Sequence, residues 1–198
     1  MSANEWDEYA GDWDVNEEVQ LYAHKALDSL EKKVVPFYPS LSECRVLDFG
    51  CGTGLLTERL AGRCGQVVAV DTSEKMIEVL RNKLASLGIG NVAVSAVPID
   101  AWSIKENPEL LAVFDLIVAS SVCGFLPDYE SSLLDISSIM KPGAYFVQWD
   151  WMENMPGKRI ELAFSSSGLI SQSIGQAFAM QANGDSKSVI MGVGRKQS

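Results

Sequence analysis

The chain has 198 residues, 47% of them hydrophobic and 21% charged, the profile of one globular domain with a sizeable core. Its formal net charge of -10 opposes a phosphate backbone, so no nucleic-acid partner is expected. No apolar run approaches the roughly 18 residues of a membrane span, and the acidic N-terminus lacks the features of a signal peptide, which points to the cytoplasm.

Residues 1–20 carry Glu5, Asp7, Glu8, Asp12, Asp14, Glu17 and Glu18 without a single Lys or Arg, and Trp6, Tyr9 and Trp13 are interleaved with them. Such a segment suits a solvated acidic arm anchored by its aromatics, or a lid whose aromatics close over a site. A helix is predicted from Asn16 to Val34, with Val19, Tyr22, Ala23, Ala26, Leu27, Leu30 and Val34 on one apolar stripe. His24, the one histidine, falls off that stripe and reads as solvent-facing. Pro36 and Pro39 end the helix. Residues 1–40 are therefore read as an arm and helix ahead of a main domain at 41–198, within one compact domain overall.

Short β runs then alternate with helical segments, the pattern of a parallel sheet covered on both faces. The β runs are Arg45 to Phe49, Gln66 to Val70, Val92 to Val97, Phe114 to Ser120 and Ala144 to Trp149. Helical candidates lie at Leu55 to Gly62, at Ser73 to Leu87 with Ser73 as N-cap, near Glu106 to Ala112, and at Asp128 to Met140. A helix near Lys158 to Ser167 precedes two strand candidates, Ser171 to Met180 and Ser188 to Val193. Asn183-Gly184-Asp185 joins them, the sign of an antiparallel hairpin. Cys44, Cys51, Cys64 and Cys123 show no Cys-x-x-Cys spacing, and His24 has no second imidazole. Reduced thiols fit better than a disulfide framework or a zinc site, and no metal is expected.

The chemistry concentrates in RVLDFGCGTGLLT, residues 45–57. Asp48 rides on the first β run, which empties into Gly50, Gly52 and Gly54 just before a helix. Glycine at alternate positions lets the backbone bend sharply and lets a ligand lie close against it. The dinucleotide fingerprint would place its third glycine at position 55, which is Leu55 here. No Gly-Lys-Ser/Thr ending marks a phosphate-cradling loop either. The second β run ends at Asp71, where a carboxylate can accept hydrogen bonds from a ribose diol. Asp71 alone supports any adenosine-containing cofactor, and it can also serve as a helix cap.

The acid followed by Gly-x-Gly-x-Gly, Asp48 to Gly54, resembles motif I of the class I S-adenosylmethionine-dependent methyltransferases. The resemblance implies an α/β, Rossmann-like, doubly wound and mostly parallel seven-stranded sheet, with strand order 3-2-1-4-5-7-6 and a C-terminal antiparallel hairpin. It also implies S-adenosylmethionine as cofactor, S-adenosylhomocysteine as product and a small-molecule acceptor. By the same resemblance Gly50, Cys51, Gly52, Gly54 and Leu55 border the methionine part of the cofactor. Asp71 meets the ribose, Asp100 accepts from the adenine amine, and Thr72, Met76 and Ala101 lie beside the adenine. Ser120 and Ser121 face the methyl donor. Asp48 orients the ammonium or polarises the loop backbone.

For the acceptor, Trp149 and Trp151 at the end of the fifth strand, with Phe125 and Tyr129 after the fourth and Trp13 in the arm, would suit an aromatic or cationic molecule. They would equally cap a core. Candidate general bases are Tyr9, Tyr22, His24, Asp150 and Glu153, none standing above the others. Two alternatives to the enzyme remain: a non-catalytic S-adenosylmethionine or S-adenosylhomocysteine binder, and a nicotinamide-dependent oxidoreductase, which Leu55 disfavours. Oligomeric state is not legible.

Overall fold

Near-continuous apolar runs make the two central strands of the N-terminal half. β1 (Arg45–Phe49) and β2 (Gln66–Asp71) pair in parallel, Leu47 opposite Val68, and β3 (Val92–Ala96) adds a third parallel strand, Ala93 opposite Val68. Val46, Leu47, Val67, Ala69 and Val70 are fully buried, as a strand covered on both faces requires. β3 stays half-buried throughout, consistent with its place at one end of the strand order. The structure is a computed structural model that describes residues 6–38, 40–111, 113–182 and 185–197.

Helix α1 (Glu17–Lys33) starts where the Asn16 side chain accepts from the Glu18 amide, and its ends carry acids first and Lys32 and Lys33 last, matching the helix dipole. Its stripe buries Tyr22, Ala23, Ala26, Leu27 and Leu30, with Val34 buried just beyond, while Val19 is only half-buried. Helix α2 (Leu55–Ala61) leaves the glycine loop directly. Helix α3 (Glu74–Leu87) is capped by Ser73 at its start and ends on Gly88 in the left-handed region. Leu80, Ile77 and Leu84 of α3 pack with Cys51 and Ala69 in one cluster. Burying each of these large side chains is worth about 1.5–3 kcal/mol.

The chain divides into two compact units at Pro98/Ile99. In the second unit β4 (Phe114–Ser120) pairs in parallel with β5 (Met140–Trp151). β5 pairs antiparallel with β7 (Asp185–Lys196), which pairs antiparallel with β6 (Leu169–Ala182). The seven strands follow the order β3-β2-β1-β4-β5-β7-β6, as the resemblance implied, with the C-terminal antiparallel hairpin in place. The Asn183 and Gly184 portion of the expected turn lies outside the described residues, though Ala182 pairs with Asp185 across it.

Some boundaries differ from expectation for local reasons. The helix expected near Glu106 to Ala112 is instead α4 (Ala101–Glu106), because the Asp100 carboxylate accepts from the Ser103 amide and fixes an earlier start. Pro108 disfavours the helical conformation at Asn107 and stops it there; Ala112 lies outside the described residues. β5 begins before its apolar core: Met140 pairs with Phe114, a register shift follows, and Gly143 takes a positive φ of 79°. Helices α5 (Tyr129–Ser138) and α6 (Gly157–Ser166) complete the second unit. Among the described residues no helix is long and apolar enough to cross a membrane.

Candidate functional site

The glycine loop holds three left-handed backbones in five residues: φ is 69° at Gly50, 55° at Gly52 and 85° at Gly54. Only glycine adopts these without strain. Its amides turn inward. Gly50 and Cys51 both donate to the Val70 carbonyl, at 2.8 and 3.0 Å, and Gly54 donates to the Cys51 carbonyl at 2.9 Å. The Gly52 amide donates to Asp71 Oδ2 at 2.9 Å. A phosphate-binding loop needs free amides aimed at the ligand, and these four are already committed. The bend therefore offers bare backbone surface rather than an anion nest.

Gly54 and Gly52 serve different ends. A Cβ on Gly54 would lie 2.2 Å from Leu80 Cδ1, so this glycine admits the α3 core, a packing role. A Cβ on Gly52 would meet the Trp13 indole nitrogen at 3.9 Å, so Gly52 faces the N-terminal segment. The Cys51 side chain joins the core cluster and Leu55 is buried, so neither side chain is presented at the loop surface. Burial raises the Cys51 thiol well above its ordinary range, with Asp48 and Asp71 adding to the rise, which disfavours the thiolate.

Two carboxylates flank the loop. Asp48 is 1% exposed and accepts from the Thr57 hydroxyl at 2.6 Å. Burial pushes its carboxyl up to about 7, against the pull of Thr57, and the charge of Asp71 contributes to the rise. Asp71 takes Gly52 N–H on one oxygen and Ser73 N–H on the other, each at 2.9 Å. An ionised carboxylate has about four acceptor positions, so roughly two stay available, enough for a vicinal diol. Burial raises the Asp71 pKa, and its backbone hydrogen bonds oppose that. Thr72 is exposed beside it, whereas Met76 is 2% exposed and belongs to the core.

The acidic N-terminal segment straps this loop. Asp14 accepts from the Thr53 hydroxyl at 2.5 Å and pairs with Lys83 at 2.5 Å, while Asp7 accepts from the Ser73 hydroxyl at 2.5 Å. Trp6, Tyr9 and Trp13 pack on one another with ring centroids 6.0 to 6.4 Å apart. Thr53, Thr57 and Lys83 were not anticipated from sequence. Thr57 sits one turn into α2, where a hydroxyl near a motif acid was the available signal; the long-range Asp14 partners left none.

In the second unit, Asp100 caps α4 through one oxygen and Ala101 is exposed. Ser120 ends β4, and Ser121 takes φ 59°, the one described non-glycine residue with positive φ. That conformation costs about 1–2 kcal/mol for an L residue. Among the proposed pocket aromatics, Trp149 and Tyr129 are fully buried, so they are core; Phe125 is 38% exposed and Trp13 and Trp151 are half-buried. Tyr129 donates to Gln148 Oε1 instead of facing solvent.

The candidate bases also sort out. Tyr22 is 7% exposed within the α1 stripe, which removes it from contact with an acceptor. His24 lies exposed on α1, 3.7 Å from Asp28. Glu153 is exposed and pairs with Lys187 at 2.7 Å, and Tyr9 is 50% exposed. Asp150 is 1% exposed, and both its oxygens are engaged: Gly124 N–H at 2.8 Å and Gln148 Nε2 at 2.8 Å. A carboxylate so enclosed does not reach an acceptor, which corrects its candidacy as a base. Gln148 was missed although it shares a strand face with Asp150 two residues on, a polar pair in an apolar strand.

A methyltransferase-domain family profile matches residues 40–183. A ubiquinone biosynthesis O-methyltransferase of Chromobacterium violaceum is 30% identical over 122 residues, 60% of this chain and 49% of that protein. The chain thus spans about half the length of such curated relatives. An S-adenosylmethionine-dependent methyltransferase structure from Aquifex aeolicus shares the fold at TM-score 0.65 and 21% identity, covering 83% of this chain and 88% of that one. A chain from the complex of the Haloferax volcanii Trm112 methyltransferase activator with a methyltransferase does so at TM-score 0.76 and 17% identity, covering 98% of each. The committed amides and flanking acids of the loop, the strand order and the family match agree: the chain belongs to the methyltransferase-domain family, among the class I S-adenosylmethionine-dependent methyltransferases.

Proposed function

We propose that this chain moves the methyl group of S-adenosylmethionine to a small-molecule acceptor and leaves S-adenosylhomocysteine. The observation that carries the reading is the glycine loop, whose amides are internally satisfied and whose flanks are a buried acid, Asp48, and a half-buried one, Asp71. A phosphate-free, positively charged cofactor matches that surface, and a pyrophosphate does not. Bound there, the cofactor supplies a methyl already activated by its sulfonium. The protein's part is alignment and exclusion of water.

Gly50 and Gly52 present backbone without Cβ to the methionine moiety. Asp48, buried and held by Thr57, acts on the ammonium through the loop backbone that it polarises. Asp71 holds the ribose hydroxyls with its spare acceptor positions. The segment Trp6 to Asp14 acts as the lid over the loop, latched through Asp7 and Asp14. For Asp100, Ala101, Thr72, Ser120 and Ser121 the support remains the family resemblance. Relatives named as ubiquinone biosynthesis O-methyltransferases favour a small acceptor, with a hydroxyl oxygen the first to test. Four buried cysteines, none of them in a disulfide, support a reducing, cytoplasmic setting.

The test is S-adenosylhomocysteine release from the purified chain with S-adenosylmethionine and a panel of small phenols and amines. Acceptor-dependent release is expected. Tight S-adenosylhomocysteine binding without release on any acceptor would instead favour a non-catalytic binder.

A further inference from the structure

The loop after β4 is held in place by two neighbouring residues of β5. Ser121 N–H donates to the Trp149 carbonyl at 2.7 Å, and Gly124 N–H donates to Asp150 Oδ1 at 2.8 Å. Between these points the chain passes through the left-handed Ser121 and a short turn at Cys123–Phe125. A left-handed serine persists only where its surroundings over-determine it, and such residues gather at ligand-binding edges. This loop leaves the carboxyl end of β4, the edge where open α/β sheets take ligands.

The clamp is backed by a relay. Gln148 Nε2 donates to Asp150 Oδ2 at 2.8 Å, and the Tyr129 hydroxyl donates to Gln148 Oε1 at 2.5 Å. Arg159 of α6 lies over the Tyr129 ring, 5.3 Å from its centroid, and forks onto Glu130 at 3.0 and 3.3 Å. One carboxylate therefore gathers donors from the loop and from its own strand, while Tyr129 and Arg159 of α5 and α6 support them.

We propose that Asp150 is a positioning residue for methyl transfer, a clamp that sets the loop after β4 and lets that loop's order follow the charge on its carboxylate. The proposal rests on reading this loop as the acceptor side of the methyltransferase. The ionised carboxylate accepts from Gly124 and Gln148 together. Once protonated, it must donate through one oxygen, so Gln148 has to turn its carbonyl toward Asp150 and its amide toward Tyr129. The relay reverses and the bond to Gly124 weakens.

Among the described residues, the charged and titratable groups around Asp150 are few. Cys123 comes from the loop, Tyr129 and Glu130 from α5 and Arg159 from α6, while β7 brings Ile190 opposite in register. Burial lifts the Asp150 carboxyl to about 7, with the bonds from Gly124 and Gln148 and the charge of Arg159 pulling it down. The clamp thus changes state near neutrality, tight above and loose below.

The Gly124 amide is the direct reporter, followed by nuclear magnetic resonance and hydrogen exchange on the full chain between pH 5.5 and 8.5. In the unaltered protein its resonance should titrate with a midpoint near 7, and its protection should rise above it. Asp150→Asn, close to isosteric, should abolish that titration while the chain stays folded. Asp150→Ala should speed local exchange at Gly124 by about 10- to 100-fold after correction for intrinsic rates. Asp48→Asn, at the cofactor loop, should leave the Gly124 titration in place. A Gly124 titration that persists in Asp150→Asn, or equal exchange with and without the carboxylate, would overturn the clamp. S-adenosylhomocysteine binding, measured alongside, should change less than about threefold in Asp150→Asn. If neither protein binds it, the methyltransferase reading fails and the Gly124 result still decides the clamp.

Discussion

Gly54→Ala separates two reasons for a glycine in the loop. The added methyl would sit 2.2 Å from Leu80 Cδ1, 3.1 Å from its Cγ and 3.2 Å from its Cδ2, at a backbone φ of 85°. A left-handed L residue costs about 1–2 kcal/mol, and forcing a methyl into a packed core costs about 1–3 kcal/mol more. The sum is ~2–5 kcal/mol, which at about 2–4 °C per kcal/mol for a chain of this size lowers Tm by roughly 4–20 °C. Gly88→Ala is the control: its φ is 66°, but nothing lies within 4 Å of the new Cβ, so only the backbone cost of about 1–2 kcal/mol applies. Urea unfolding of both variants measures the difference directly. Leu80→Ala in the Gly54→Ala background should recover part of the excess, since it removes the colliding atoms. Equal losses for Gly54→Ala and Gly88→Ala would refute the packing role, leaving Gly54 as a ligand-side glycine only.

Stability should fall as pH rises from 5 to 8. Asp48 and Asp150 hold protons in the folded chain up to about 7 against an ordinary value of 3.8, so folding binds protons in this window and the stability present below it is lost as pH climbs through 7. The combined loss should be a few kcal/mol, since each tenfold gain in proton affinity on folding is worth about 1.4 kcal/mol; denaturant midpoints that stay flat or rise across the window would contradict the buried acids. Asp14→Ala should release the N-terminal strap, raising S-adenosylhomocysteine off-rates by about tenfold for loss of one charged hydrogen bond; stopped-flow release at an unchanged rate would remove the lid. Lys196 donates to the Ser137 and Met140 carbonyls at 2.5 and 3.0 Å. Lys196→Met should therefore cost about 1–3 kcal/mol, read as a lower Tm.

The alternation of strands and helices and the glycine loop could be read from sequence because both rest on local signals: apolar runs of strand length, helical stripes between them, and alternate glycines after an acid; the strand order followed only from the resemblance that the loop carries. Ser73 as N-cap of α3 and the antiparallel pairing of β6 with β7 followed from short-range chemistry in the same way. The strap is not legible because Asp14–Thr53 and Asp7–Ser73 join residues 39 and 66 apart, and no periodicity encodes such pairings. Tyr129 and Trp149 stay open between pocket and core for another reason. An aromatic near the carboxyl edge of a sheet fits a pocket and a core equally well until its burial is known, and here both rings are fully covered. Asp150 reads from sequence as an acid on the right edge, but its role depends on Gly124 and Gln148, whose contacts arise only in three dimensions.

The central claim is that the loop takes S-adenosylmethionine through a phosphate-free surface and the Asp71 carboxylate. Calorimetric titration of the full chain with S-adenosylhomocysteine and with NAD, repeated on Asp71→Ala, tests it most directly. Saturable S-adenosylhomocysteine binding is expected, weakened at least tenfold in Asp71→Ala by loss of charged hydrogen bonds, with no heat from NAD. Binding of NAD without S-adenosylhomocysteine, or unchanged S-adenosylhomocysteine affinity in Asp71→Ala, would contradict it.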